Sequence, residues 1–526
     1  MMTSRTIRQY PIEPISASSP VDDVLAKALL HSVKVHGTQL HGRRVWLACS
    51  GGRDSLALAA LCLQLYRQAK LPFLPQLLHV DHGLQASSVD WATHVKKWAQ
   101  AQQMSCTVLQ ATVDGHDEQA ARLARYQVMR AHINQGDVLL LAHHADDQAE
   151  TVLMRLIQGA GVNGLSGMQS WRVQEAGAQY NVLWRPWLSV QRTTITAYAQ
   201  RLKLPYIDDP TNDAGDNVRS GLRVHVMPLL KTYNPNTIQN IARSAQLLSD
   251  AQATLSDQAE QDLQQAAAHE LALSCAQQVL NIDALHILPL HRQRQLLHHW
   301  LAQDEPLPPS KQLVDDTLAL TQRNDHDHQT QLHWQGRTQQ YHIRRYRQQL
   351  YRLSQTWLEW LNLPIAVHRQ PLSHNVSFSP VLRTGKGYRW QLKCVADSAF
   401  QPLSQLQFLL NQQECASGKS AFSTDIKEAK DRLVLQATPL DRQQRIQTAL
   451  ATRPQSGKKL YQTLAIPVWL RASLVVISLV NAKTDEVLPL LLISPFESWV
   501  LGQKKSDTKA EIQPNTVISS TLQPYS

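Results

Sequence analysis

Cysteine is scarce and poorly spaced for chemistry. The six cysteines, Cys49, Cys62, Cys106, Cys275, Cys394 and Cys415, include no C-x-x-C pair, which argues against a disulfide framework, a zinc ribbon or an iron–sulfur ligand set. Long apolar runs are missing as well. The most apolar late stretches, 474–480 and 487–493, fall far short of the ~20 residues that span a bilayer and read as buried strands. The opening MMTSRTIRQYPIEP lacks the apolar core of a secretory leader, so a cytoplasmic protein with no membrane partner is expected. The common nucleotide loop G-x-x-x-x-G-K-[ST] is absent too: the GKS at 418–420 would need a glycine where Gln413 stands.

What is present is a chain of 526 residues, 43% hydrophobic and 18% charged. It is too long for one core and too apolar for disorder, so two or three domains are expected. A net charge of +10 and a pI near 9.3 point to a polyanionic partner, with plain solubility as the competing explanation.

From residue 44 to about 160, short apolar runs alternate with helical stretches. Strands are predicted at 45–49, 77–80, 107–109 and 138–142, and helices at 56–66, 89–102, 118–134 and from about 146. This alternation predicts an α/β fold with a doubly wound parallel sheet, whose ligands lie beyond the carboxyl ends of the strands. CSGGRDS, HVDHGL and AHHADDQ all fall at such ends, so the three most polar loops converge on one rim. Further on, Leu247, Ala251, Leu255, Ala259 and Leu263 recur every four residues, which predicts a long helix. The resulting division is an extension over 1–38, a catalytic domain over 39–240, a mainly helical middle domain over 241–365, a linker over 366–385, a small α+β domain over 386–502 and an unfolded tail over 503–526.

The bend at residues 50–55, SGGRDS, decides the chemistry. A glycine-rich turn between a buried strand and a helix leaves backbone N–H groups aimed at one point, where the helix end adds positive potential. An anion fits there, and Ser50 and Ser55 add hydroxyl donors. Asp54 would repel a phosphate unless it holds Mg²⁺ bridging phosphate oxygens or positions a reacting group; a glycine turn with Asp as a helix cap is the plainer alternative.

SGGRDS resembles the S-G-G-x-D-S loop of the PP-loop ATP pyrophosphatases, an adenine nucleotide alpha hydrolase-like fold. The segments HVDHGLQ, EQAARLARYQ, AHHADDQAET, GAGVNGLSGM, RPWL, DDPTND and RSGLRVHVMPLL follow in the order of the tRNA(Ile)-lysidine synthetase family. RPQSGKKLYQTLAIPVWLR is similar to that family's basic C-terminal motif. The resemblance is strong over about 40–245 and weak over the middle domain. It implies an ATP-dependent ligase, with Mg²⁺, that joins L-lysine to C2 of the wobble cytidine of CAU-anticodon tRNA(Ile) through an adenylated intermediate. The oligomeric state is left open, a homodimer being one expectation.

On that resemblance the nucleotide is held by Ser50, Gly51, Gly52, Arg53, Asp54, Ser55 and Arg125, and the catalytic set is Asp54, Arg122, His144 and Asp146. Arg122 and Arg125, three apart, share a helix face suited to phosphate or to plain solvation. One of Asp146 and Asp147 would cap a helix, leaving the other for the lysine ammonium or its proton. His79, Asp81 and His82 fit either a metal or the packing of strand ends. RSGLR replaces the family's usual Asn with Ser220, between Arg219 and Arg223, which are expected to contact RNA. Arg344 and Arg345, in an aromatic–basic run from Tyr341 to Arg352, and Arg453, Lys458 and Lys459 complete the expected RNA contacts. The rivals are a tRNA thiolase, a small-molecule amidotransferase, a metal-dependent phosphohydrolase and a non-catalytic RNA-binding protein.

Overall fold

The apolar run before the glycine bend is strand β1 (Val45–Ala48), and its neighbours fix the position of everything polar around it. The computed structural model of the protein describes residues 6–7, 10–16, 18–81, 88–112, 118–176, 179–208, 217–267, 277–303, 305–323, 330–371, 381–386, 388–393, 433–448, 451, 453–482, 484–485, 487–495, 498–501 and 519–524. They form two compact units, Met1–Leu255 and Ser256–Ser526.

In the first unit β1, β2 (Gln76–Asp81), β3 (Cys106–Gln110), β4 (Val138–Leu140), β5 (Trp171–Ala176) and β6 (Gln179–Trp184) make one sheet in the order β3-β2-β1-β4-β6-β5. All neighbours are parallel except the edge pair β5 and β6. The longer helices around the sheet are α1 (Asp23–Val35), α2 (Arg53–Arg67), α3 (Ser88–Ala101), α4 (Glu118–His132), α5 (Ala145–Ile157) and α6 (Arg192–Arg201). Side chains alternate across a strand, and here the alternation sorts into two cores. Val45, Leu47, Leu77, Val138 and Leu140 pack with α1, α2 and α6, whereas Trp46, Leu78 and Leu139 face Met129 of α4 and Ile133 just beyond its end. Helices on both faces explain why the strands read as unbroken apolar runs. Each such side chain contributes about 1.5–3 kcal/mol by leaving water. α2 is buried from Ser55 through Leu65, as a helix with apolar residues all round must be.

From β1 the chain winds to β2 and β3 on one side, and β4 lies on the other. The winding reverses between β1 and β4, and a crevice opens beyond the carboxyl ends of such a pair. The glycine bend follows β1 and the His-His-Ala-Asp-Asp segment follows β4.

A 30-residue helix α7 (Thr237–Ala266) carries the four-residue repeat. Four residues advance the helix by one turn plus about 40°, so the stripe winds off its buried face: Ala259 is fully buried while Leu247 is exposed. The second unit holds helices α8 (Leu290–Ala302), α9 (Lys311–Gln322) and α10 (Gln355–Leu361) with an antiparallel sheet of β7 (Gln277–Asn281), β8 (Gln331–Gln335), β9 (Gln340–Tyr346) and β10 (Gln349–Ser354), ordered β8-β9-β10-β7. Both faces of that sheet are covered. Leu280, Ile343 and Leu350 join the core of α8 and α9, and Tyr346, Tyr351 and Leu353 join a second core with Trp357 and Trp469.

The stretch read as a linker contains strands β11 (His368–Pro371) and β12 (Val381–Gly385). β11 pairs with β14 (Leu433–Pro439) in a five-stranded sheet completed by β15 (Val475–Asn481), β16 (Val487–Ile493) and β17 (Ser498–Val500). β12 pairs with β13 (Tyr388–Lys393), which also pairs with β18 (Ser519–Pro524). Residues 519–524 of the tail expected to be unfolded therefore supply an edge strand paired with β13. The two apolar runs excluded as membrane spans are β15 and β16, and among the described residues no helix is long and apolar enough to cross a membrane.

Candidate active site

Gly51 makes the bend. Its φ of +82° is the left-handed region that favours glycine, and an added Cβ would lie 2.8 Å from Ile207 Cδ1 and 2.9 Å from Val95 Cγ2. The Ile207 N–H donates to the Gly51 carbonyl at 2.9 Å, so the turn is pinned from behind. Gly52 sits at the N-cap of α2 with no side-chain cap there, which leaves N–H groups at the helix start for a ligand. Ser55 Oγ donates to the Gly52 carbonyl at 3.0 Å and lies 3.3 Å from Ser50 Oγ. Its proton is turned inward, and Ser50 is the exposed hydroxyl of the pair.

Asp54, in the first turn of α2, keeps 29% of its side chain exposed. Arg53 Nε donates to its Oδ1 at 3.1 Å, and its Oδ2 faces His144 Nε2 at 3.7 Å. The two switch-point loops thus meet through one carboxylate and one imidazole. Burial works against the charge on Asp54, but His144 and Arg53 outweigh it and hold the carboxyl well below its usual range.

His144 is the N-cap of α5. The Asp147 N–H donates to its Nδ1 at 3.4 Å while the His144 N–H donates to Asp147 Oδ2 at 3.1 Å, a reciprocal capping box. Asp147 Oδ2 also lies 3.4 Å from Nε2. Burial alone would lower the His144 pKa; Asp147, Asp54 and Asp146 raise it. The carboxylates outweigh burial, so the ring is drawn towards imidazolium. One aspartate of the pair caps the helix, as expected, and the other keeps part of its carboxylate exposed. Asp147 is both cap and ion-pair partner, and Asp146 Oδ2 takes the Arg192 N–H at 2.9 Å, closing the start of α6.

His143 behaves differently from its neighbour. Arg185 Nε donates to its Nδ1 at 3.1 Å, and burial, followed by the charges of Arg185, Arg122 and Arg219, pushes its pKa down to about 3 against the pull of Asp147. A guanidinium only donates, so the proton of the neutral ring sits on Nε2. Arg122 is thereby placed beside this cationic cluster, over the Tyr126 ring at 5.7 Å. Arg125 lies one turn further along α4, partly buried.

Arg219 and Arg223, expected to touch RNA, are turned inward instead. Arg219 Nε and Arg223 Nε each donate to Glu150 at 2.7 Å, and Arg219 Nη2 reaches Asp147 Oδ1 at 3.0 Å. Glu150 is 2% exposed: a carboxylate so deeply buried needs such partners. Ser220 between them serves the backbone. Its N–H donates to Asn217 Oδ1 at 2.8 Å and the Asn217 N–H donates to its Oγ at 3.1 Å, so a short hydroxyl does in this position what a capping box requires.

Four residues escaped the sequence reading: Gln148, Glu150, Arg155 and Arg185. Gln148 clasps the backbone of Met168 through both amide atoms, and Arg155 Nη1 donates to the carbonyls of Gly164 and Gly167 at 2.8 Å each. Together they strap the glycine-rich 159–168 loop to α5. For Gln148 and Arg155 the signal was their spacing, since positions seven apart on α5 lie nearly two full turns apart on one face.

Elsewhere the aromatic–basic run is packing rather than open surface. Tyr341 and Arg352 are fully buried, with the Arg352 guanidinium 3.9 Å from the Tyr341 ring centroid. Arg345 donates to the carbonyls of Leu320 and Arg323 at the end of α9, and Arg344 lies 5.3 Å over Trp469. His79 is buried and its Nδ1 donates to the Cys49 carbonyl at 2.8 Å, tying β2 to the end of β1. His82, the GKS at 418–420 and most of DDPTND lie outside the described residues. Among the described residues no three His, Cys, Asp or Glu side chains group to hold a metal. Cys49 and Cys62 are fully buried, with Cys49 pushed up to about 12 by burial, the reverse of a reactive thiolate.

Residues 24–230 match the model of a PP-loop domain and residues 280–351 that of a TilS substrate binding domain. The protein is 40% identical to the tRNA(Ile)-lysidine synthase of Psychrobacter sp. (strain PRwf-1), over 95% of this chain and 98% of the relative.

The chain belongs to the tRNA(Ile)-lysidine synthase family.

A second member, from Acinetobacter baylyi, is 34% identical over 64% of this chain and 70% of its own length. Among solved structures, the U34-tRNA thiolase NcsA from Methanococcus maripaludis aligns with a TM-score of 0.34 at 18% identity, over 43% of this chain and 79% of that one; so distant a likeness bears no weight. The PP-loop match and the family together make the activity ATP-dependent lysidine formation.

Proposed function

We infer that this protein is a carbon–nitrogen ligase that joins L-lysine to C2 of the wobble cytidine in CAU-anticodon tRNA(Ile), releasing AMP and diphosphate. The observation that carries the reading is the meeting of Asp54 and His144 across the switch point, 3.7 Å apart, beside a helix start left open for phosphate. In the first step the cytidine O2 bonds to the α-phosphorus of ATP and the bond to diphosphate breaks. In the second, the lysine ε-amine bonds to C2, the C2–O bond breaks with AMP as leaving group, and the amine gives up a proton.

The N–H groups at the start of α2, with the Ser50 hydroxyl, bind the polyphosphate, and Arg122 and Arg125 add positive charge. One partly exposed carboxylate beside a phosphate cradle suits Mg²⁺, which takes one or two carboxylates and fills its remaining positions with phosphate and water. Asp54 would hold it, and the ion would neutralise charge on the leaving diphosphate. His144 and Asp146 flank the place where the amine must lose its proton. The exposed Arg453, Lys458 and Lys459 are the phosphate contacts proposed for the tRNA.

The test incubates the purified protein with ATP, labelled lysine and the CAU-anticodon isoleucine tRNA transcript. Label attached to that transcript alone is the expected result. No attachment, or equal attachment to tRNAs lacking the cytidine, would overturn the reading.

A further inference from the structure

The second unit contains a hollow that nothing above uses. It measures about 300 Å³ and lies where the hairpin of β9 and β10 meets residues 464–470. The opposite face of the same sheet is sealed by the α8 and α9 core, so the hollow is a local feature of the face that carries Tyr346 and Tyr351. Those two rings and Trp499 supply aromatic surface, and residues 464–470 supply mostly aliphatic surface. Arg347 and Gln348, at the exposed hairpin turn, supply the polar edge.

Arg347 adopts a left-handed φ of +54°. Its Nη2 donates to the Gln462 carbonyl at 2.6 Å, and its guanidinium lies 5.8 Å over the Tyr346 ring. A planar cation is thus held at the mouth of an aromatic hollow. The lining contains no Asp or Glu, so a cationic ligand such as free lysine finds no partner there. A planar heteroaromatic ring with an attached phosphate finds both, the ring among the aromatics and the phosphate at Arg347. Residues 346–349 belong to the segment matching the substrate binding domain.

We propose that this hollow receives one unpaired nucleotide of the RNA substrate, its base inserted between the hairpin and residues 464–470 and its phosphate on Arg347. The inference rests on the function proposed above. Base stacking on aromatic side chains tolerates any sequence, so the hollow would recognise an unstacked nucleotide by shape rather than by identity.

The experiment uses the full chain. R347G removes the guanidinium while glycine tolerates the left-handed turn; its dissociation constant for the tRNA transcript should rise about tenfold, since a lost phosphate clamp and its stacking are worth that order. Turnover at saturating tRNA should stay at the wild-type value. Separately, benzoylphenylalanine at position 348 should crosslink to one unpaired nucleotide, and about 1 mM AMP, roughly a thousandfold above a micromolar site, should leave the crosslink intact. Wild-type affinity in R347G, crosslinks scattered over helical stems, or displacement by AMP would overturn the proposal, the last by assigning the hollow to a free nucleotide. Failure of wild-type protein to attach lysine would instead sink the function, whatever the crosslink shows.

Discussion

In the first unit Arg219 and Arg223 converge on the carboxylate of Glu150, 2.7 Å from each, while in the second unit Arg344 and Arg352 lie over the rings of Trp469 and Tyr341. Both arrangements bury guanidinium groups, but they do so against opposite kinds of surface. A carboxylate pair is demanding: remove one member and a charge stays buried without its counterion. A ring is a forgiving partner, because its loss leaves ordinary packing and a modest attraction. The first arrangement belongs where geometry must be held to a fraction of an ångström around Asp147 and His144. The second belongs where a sheet only has to be covered.

The largest effect expected lies at the centre of the first region. Asp54→Asn should lower diphosphate release by roughly a thousandfold, as loss of a key electrostatic group in a preorganised site does, with the thermal unfolding midpoint little changed. Full activity would remove Asp54 from the chemistry. Glu150→Ala should come next, costing about 3–5 kcal/mol by taking the shared carboxylate from two inward-turned arginines, measured by denaturant unfolding.

The third prediction concerns acid. His143 stays neutral in the folded protein down to about 3, whereas the unfolded chain takes up its proton near 6.5. The unfolded state therefore binds more protons between those values, and stability should fall as pH drops below about 6.5. His143→Gln should flatten that part of the unfolding profile. The smallest effect is expected in the second region: Arg344→Met should cost only about 0.5–1 kcal/mol, the worth of a partly exposed cation–π contact. A loss as large as that of Glu150→Ala would erase the contrast between the two regions.

The parallel sheet was legible because its strands are buried on both faces, and unbroken apolar runs such as 45–49 announce that burial. The rim was legible for a related reason: polar loops placed after such runs must lie at strand ends. Arg219 and Arg223 were misread because spacing shows that two arginines share a helix face but not what that face meets. Glu150, the answer, sits 69 residues before Arg219. The run from Tyr341 to Arg352 misled in the same way: alternation implies two faces, yet nothing local says that both are covered. β18 could not be foreseen, since a six-residue edge strand owes its order to a partner distant in the chain. Ser220 shows the limit of family patterns, for its departure from the usual Asn is resolved within three residues by Asn217.

The side chains of Ile207 and Val95 behind Gly51 give the loop a hydrocarbon foundation, to which the Ile207 N–H adds one hydrogen bond. A cradle set in its final shape before any nucleotide arrives spends little of the binding energy on ordering itself. Nucleotide affinity can therefore be adjusted from positions 95 and 207, by shaving or enlarging an aliphatic side chain, without altering one polar atom that the phosphates would touch.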